Sequence, residues 1–164
     1  MIIEQPVSHE RTIALWDEEI SRILARPLLQ PSDIAGGIDR LHELIHVLVN
    51  GQNARRFDDA NEEDLIGLIV ELALSHIAEV RGISTEEAVA AVRDLIVRKN
   101  VIYGASWAIM RPASLIDRVH VKGHRIGELQ RGVEGDFESE EDSWFDIVNE
   151  SLFALMLLHG AVPK

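Results

Sequence analysis

Apolar side chains recur every three or four residues through most of this chain, and this spacing limits its possible folds more than any other feature. Such spacing places the apolar side chains on one face of an α-helix. Six segments carry the pattern, and none shows the sustained alternation of a half-buried β-strand. The 164 residues are enough for one domain. We therefore predict an all-α, single-domain bundle of about six helices.

Capping and helix-breaking residues place the ends of these helices. Ser84 with Glu87, and Ser139 with Asp142, have the three-residue spacing of a helix N-terminal cap. Residues 100–112 are less regular and predict a turn or a short helix before Pro112. The six predicted helices span about 9–25, 34–50, 62–82, 84–98, 113–130 and 139–159.

Composition excludes several classes of protein. The chain has no cysteine, which excludes disulfides and thiolate metal sites. No apolar run reaches the roughly 18 residues that a membrane-spanning helix needs. Residues 1–6 lack the basic and then apolar pattern of a signal peptide. We expect a cytoplasmic protein without a membrane partner.

Charge is unevenly distributed along the chain. The net charge of −12 argues against long nucleic acids and anionic membranes as partners. Residues 98–131 nevertheless carry seven Lys or Arg against two acids, whereas residues 134–150 carry eight acids and no base. Because the basic residues are concentrated in one segment, the net negative charge does not exclude a nucleotide or another small phosphate compound as a ligand.

The last predicted helix is apolar on most of its circumference but carries Asp142, Asp146 and Asn149 on one narrow face. Two carboxylates four residues apart can share a hard cation, here Mg²⁺ or alternatively Mn²⁺. The other interpretation is an acidic first turn that faces solvent. Glu71, inside an apolar stretch of the third helix, is a second candidate metal ligand, or else part of that helix's polar stripe.

The fifth predicted helix places Arg118, Lys122 and Arg125 on one side. Like charges repel there, and an anionic ligand such as phosphate would relieve the repulsion. The alternative is that these bases form a solvated basic face or make salt bridges with the acidic segment 134–142.

Two short pairs allow a third hypothesis, a di-iron carboxylate bundle. Glu43 and His46, and likewise Asp117 and His120, have the spacing of the helical metal pairs in such proteins. Glu71 and Asp146 would complete the ligand set.

The segment from Lys99 to Arg118, KNVIYGASWAIMRPASLIDR, is followed by Lys122-Gly-His-Arg125-Ile and an acidic helix. This order and spacing resemble the nucleotide modification associated domain 1 family over about residues 97–158, and leave 1–96 as a helical scaffold. Ile102 stands where the family pattern has an acid, and Glu150 where it has tyrosine. The layout is also similar, more loosely, to MazG-like all-α nucleoside triphosphate pyrophosphohydrolases.

The resemblance implies a link to nucleotide modification, and we expect a nucleotide-binding protein that acts as a Mg²⁺-dependent (d)NTP pyrophosphohydrolase. The alternative is a non-enzymatic accessory module that assembles through its apolar last helix, and that helix also predicts a homodimer. The expected site residues are Glu141, Asp142 and Asp146 for catalysis, Glu71, Asp142 and Asp146 for the metal, Lys99, Arg111, Arg118, Lys122 and Arg125 for phosphate, and Asn100, Tyr103, Trp107 and Asn149 for the base.

Overall fold

A computed structural model describes residues 7–54, 61–103, 105–133 and 139–161, without the side chains of 53–54 and 100–103. These ranges contain six α-helices and no strand, which confirms the all-α prediction. A short 3₁₀ helix, Ser106–Ile109, lies in the irregular segment before Pro112. The helices are α1 (His9–Ala25), α2 (Pro31–Ala54), α3 (Glu62–Arg81), α4 (Thr85–Tyr103), α5 (Pro112–Gln130) and α6 (Glu140–Leu158).

Side-chain caps account for several helix ends. Ser139 Oγ accepts the Asp142 N–H at 3.1 Å, and Asp142 Oδ2 accepts the Ser139 N–H at 3.1 Å, so the predicted capping box begins α6. Gly82 ends α3 with a φ of 66°, a left-handed conformation that glycine adopts without steric cost. The largest difference from prediction is at α4, which continues past Arg98 to Tyr103.

Two glycines bring α5 close to α2. A Cβ on Gly123 would lie 2.8 Å from Ile45 Cδ1, and one on Gly127 would lie 2.9 Å from His42 Cε1. His42 Nε2 donates to the Gly123 carbonyl at 2.8 Å. This close approach fixes α5, and with it the basic residues that α5 carries.

Helix α6 lies at the centre of the core. It packs most extensively against α5 and α3, and it also contacts α1 and α4. Twelve of its residues are buried, among them Trp144, Ile147 and Leu152. The homodimer prediction depended on this apolar helix being left uncovered. Within the described ranges the chain itself covers most of α6, and the homodimer stays a prediction. None of the helices in the described ranges has the length and hydropathy needed to cross a bilayer.

Candidate functional site

A ladder of opposite charges joins α5 to α6. Arg118 Nη1 lies 3.6 Å from Glu150 Oε1, and Lys122 Nζ lies 2.9 Å from Asp146 Oδ2. Each helix supplies two residues one turn apart. Because the residue numbers rise along α5 as they fall along α6, the ladder also shows that the two helices are antiparallel.

Lys99 brings a third helix to the same place. Its Nζ lies 3.1 Å from Asp146 Oδ1, so each carboxylate oxygen of Asp146 contacts one ammonium group. We call Lys99, Arg118, Lys122, Asp146 and Glu150 the charged cluster. It holds three cations and two carboxyl groups, and it joins α4, α5 and α6.

The acids of the charged cluster are only slightly exposed, whereas two of its bases reach solvent. The side chains of Asp146 and Glu150 are 16% and 14% exposed. Lys99 and Arg118 are 44% and 61% exposed. A solute approaching the cluster therefore meets cationic groups first.

The two acids of the charged cluster have opposite pKa shifts. Burial alone would raise the pKa of Asp146, but hydrogen bonds and positive charge from Lys122 and Lys99 hold it below its usual value. For Glu150, burial and the nearby Asp146 charge outweigh the attraction of Arg118 and the two lysines, and raise its pKa to about 7. Its Oε2 is buried and has no hydrogen-bond partner in the part of the chain that the structure describes. The cluster thus contains a carboxyl group that exchanges its proton near neutral pH.

The other predicted acids are engaged outside this cluster. Glu141 forms an ion pair with Arg81 of α3, with its Oε2 2.9 Å from Arg81 Nε. Asp142 is exposed and belongs to the capping box. Glu71 Oε2 accepts the backbone N–H of Leu28 at 2.8 Å, which stabilises the connection between α1 and α2. The structure therefore does not assemble Glu71, Asp142 and Asp146, and the Mg²⁺ site stays a prediction.

Two predicted base-binding residues lie in the core. Trp107 is 3% exposed, stacks on Phe153 with 5.5 Å between ring centroids, and donates from Nε1 to Thr12 Oγ1 at 3.3 Å. Asn149 is 4% exposed and accepts the Trp16 indole N–H at 3.0 Å. Neither side chain presents a surface to a base. The side chains of Asn100 and Tyr103 lie outside the described residues.

The remaining phosphate candidates lie outside the charged cluster. Arg125 Nη1 lies 3.6 Å from Glu128 of its own helix. Arg111 is exposed at the N-terminal end of α5. Arg118, Lys122 and Arg125 thus have ion-pair partners at positions 150, 146 and 128. The alternative hypothesis placed their partners in the acidic segment 134–142, of which residues 134–138 lie outside the described ranges, so that alternative stays a prediction.

The structure does not bring the predicted di-iron ligands together. Glu43 pairs with Arg40 at 3.0 Å, and His46 Nε2 lies 3.0 Å from Asn50 Nδ2. No group of three or more His, Asp or Glu side chains within the described ranges could hold a metal ion. All six proposed ligands are described residues, so the finding applies to the whole set.

Glu150 is the member of the cluster that the sequence interpretation did not assign to the site. A usable signal was present, because Asp146 and Glu150 repeat the four-residue spacing of Arg118 and Lys122. Two such pairs on antiparallel helices can form matched ion pairs. Helix direction, which the sequence does not state, was the missing fact.

A comparison with protein-family models matches residues 99–158 to the family described as nucleotide modification associated domain 1. Comparisons with curated proteins and with solved structures gave no match. The matched segment contains every residue of the charged cluster. The similarity to this family is thus supported, whereas the looser likeness to MazG-like pyrophosphohydrolases has no support.

Proposed function

We propose that the protein binds a nucleotide or another small phosphate compound at the charged cluster. The observation that carries the proposal is the convergence of Lys99 and Lys122 on Asp146, with Arg118 one turn away. The family similarity of this same segment supports a nucleotide as the ligand.

The charge balance of the cluster favours an anion. Three permanent cations face one carboxylate that stays ionised, Asp146, and a second carboxyl, Glu150, that is partly protonated near pH 7. The excess positive charge is available to phosphate oxygens, which form strong charge-assisted hydrogen bonds with ammonium and guanidinium groups.

The geometry also gives Asp146 a part in the proposed site. Its two oxygens hold the ammonium groups of Lys99 and Lys122 at 3.1 Å and 2.9 Å, so one carboxylate keeps both ammonium groups beside it. Asp146 therefore acts as a positioning residue that holds the ammonium groups of Lys99 and Lys122 near each other, where both can bind one phosphate group.

Measuring how tightly nucleotides bind to variants of Lys99 and its neighbour Arg98 tests the proposal. We expect Lys99→Ala to weaken binding by about tenfold or more, since one charge-assisted hydrogen bond contributes roughly 1.5–3 kcal/mol. Isothermal titration calorimetry with ribo- and deoxyribonucleoside mono-, di- and triphosphates, with and without Mg²⁺, measures the affinity.

Arg98→Ala is the matched control for this experiment. Arg98 precedes Lys99 in α4 but pairs with Asp94 of its own helix at 3.2 Å. Its removal should leave the affinity unchanged. Absence of binding across the whole panel, or an equal loss in both variants, would refute the proposal. Pyrophosphate release with Mg²⁺ would extend it to the (d)NTP pyrophosphohydrolase that we expected from the sequence.

A further inference from the structure

A second polar cluster, separate from the charged cluster, joins α1, α3 and the end of α6. His159 is the C-terminal capping residue of α6. Its Nδ1 lies 2.6 Å from Glu19 Oε1 and its Nε2 lies 3.0 Å from Glu63 Oε2. One histidine ring thus connects helices that are distant in sequence.

The contacts of this ring require a particular proton state. A carboxylate only accepts hydrogen bonds, so contact with Glu19 and Glu63 at the same time requires a proton on both nitrogens. Arg22 Nη1, however, lies 2.7 Å from the same Nδ1. Since guanidinium only donates, that contact is favourable only when Nδ1 has lost its proton. The two contacts of Nδ1 therefore belong to different protonation states.

We propose that Glu19, Arg22, Glu63 and His159 form a proton-operated latch, which holds the C-terminal end of α6 against α1 and α3 while the imidazole is protonated. When the ring loses its proton, Nδ1 changes from a donor to Glu19 into an acceptor from Arg22. The contact of His159 with α1 then changes from an ion pair with the buried Glu19 carboxylate to a hydrogen bond that the neutral ring accepts from Arg22. The end of α6 is held less strongly because the charge attraction between the ring and the two carboxylates is gone.

The surroundings of the latch support a change that is confined to one end of the helix. Glu19 is buried and keeps Arg22 as a partner, with Nη1 3.0 Å from both carboxylate oxygens, so deprotonation of His159 does not leave Glu19 without a counter-charge. Glu63 is 46% exposed and water can solvate it. The other charged residues that line the cavity beside His159 are Arg26, which follows α1, and Asp64 and Glu71 of α3. Burial alone would lower the pKa of His159, but the hydrogen bonds to Glu63 and Glu19 outweigh burial and raise it.

Hydrogen exchange of the full chain, measured by NMR as a function of pH, tests the latch. The amides of His159, Gly160 and Ala161 donate to carbonyls in the last turns of α6 and report on its end. We expect their protection, corrected for intrinsic exchange, to fall as pH rises through the His159 pKa. The protection should fall about tenfold for each pH unit by which the pKa of His159 in the latch exceeds its usual value of 6.5.

Variants separate the latch from a general loss of stability. Glu63→Gln should move the fall in protection to lower pH, because it removes one carboxylate from the ring. His124→Gln, which removes an exposed histidine of α5, should leave the profile unchanged. A His159 ring that titrates at or below 6.5, or protection that does not depend on pH, would overturn the proposal.

Discussion

Replacing Asn149 with alanine is expected to lower the free energy of unfolding by about 3 kcal/mol. Asn149 Oδ1 is the acceptor for the indole N–H of Trp16, whose side chain is fully buried. The substitution leaves that donor without a partner, at a cost of roughly 1–3 kcal/mol, and removes packed atoms from the core. Urea denaturation followed by circular dichroism measures the change.

A double-mutant cycle with Trp16→Phe shows whether the hydrogen bond is responsible. In the Trp16→Phe background the donor is absent, so Asn149→Ala should cost about 1–2 kcal/mol less than in the wild type. Equal costs in both backgrounds would contradict the structural role of this bond. If Asn149 instead bound a base, its replacement would weaken nucleotide binding and leave stability unchanged.

The helices of this fold were predictable because their determinants are local. Apolar spacing and caps such as Ser139 with Asp142 act within one or two turns, and α1, α5 and α6 fall within about one residue of their predicted bounds. The kink in α2 was not predicted. Gly37 there has a φ of 53° and a ψ of −133°, which the helical spacing around it does not reveal.

The site was only partly predictable because its contacts are not local. The sequence assigned Lys99, Arg118 and Lys122 to phosphate and Asp146 to the metal and catalysis, but the partner of each residue depends on how α4, α5 and α6 pack. The latch illustrates the same limit, since Glu19 and His159 are 140 positions apart. No spacing rule connects residues at that separation.

The sequence is least informative about individual residues in helices that are apolar on most faces. In α6 the periodicity could not show which side faces another helix, so Asn149 was predicted to meet a ligand although it lies against Trp16. Trp107 in the 3₁₀ helix was likewise predicted to contact a base, and in the structure it packs on Phe153. A large or polar side chain in a buried segment needs a partner, but the sequence does not say whether that partner is protein or ligand.

Replacing Glu150 with glutamine is expected to stabilise the protein above neutral pH. In the unfolded chain this carboxyl has its ordinary pKa of 4.5, whereas in the folded protein the pKa is about 7. Between these values the folded state retains a proton that the unfolded state has lost. The stability of the wild type therefore falls as pH rises through this window.

The size of the effect follows from the two pKa values. The difference between these two pKa values corresponds to about 3 kcal/mol at pH 8, and its effect nearly vanishes at pH 4, where the carboxyl is mostly protonated in both states. We expect the unfolding free energy of Glu150→Gln, relative to the wild type, to rise between pH 4.5 and 7 and then level off. Denaturation curves at several pH values give this difference directly.

Asp146→Asn is the matched control, because Asp146 lies one turn away in α6 and its pKa is shifted in the opposite direction. A lowered pKa contributes stability that is present above the unfolded value of 3.8 and lost as pH falls. Asp146→Asn should therefore destabilise the protein at pH 7 and change little at low pH. Two neighbouring acids with opposite pH profiles would establish that the bases of the charged cluster act mainly on Asp146. Profiles of the same sign would mean that burial of Glu150 does not outweigh its attraction to Arg118.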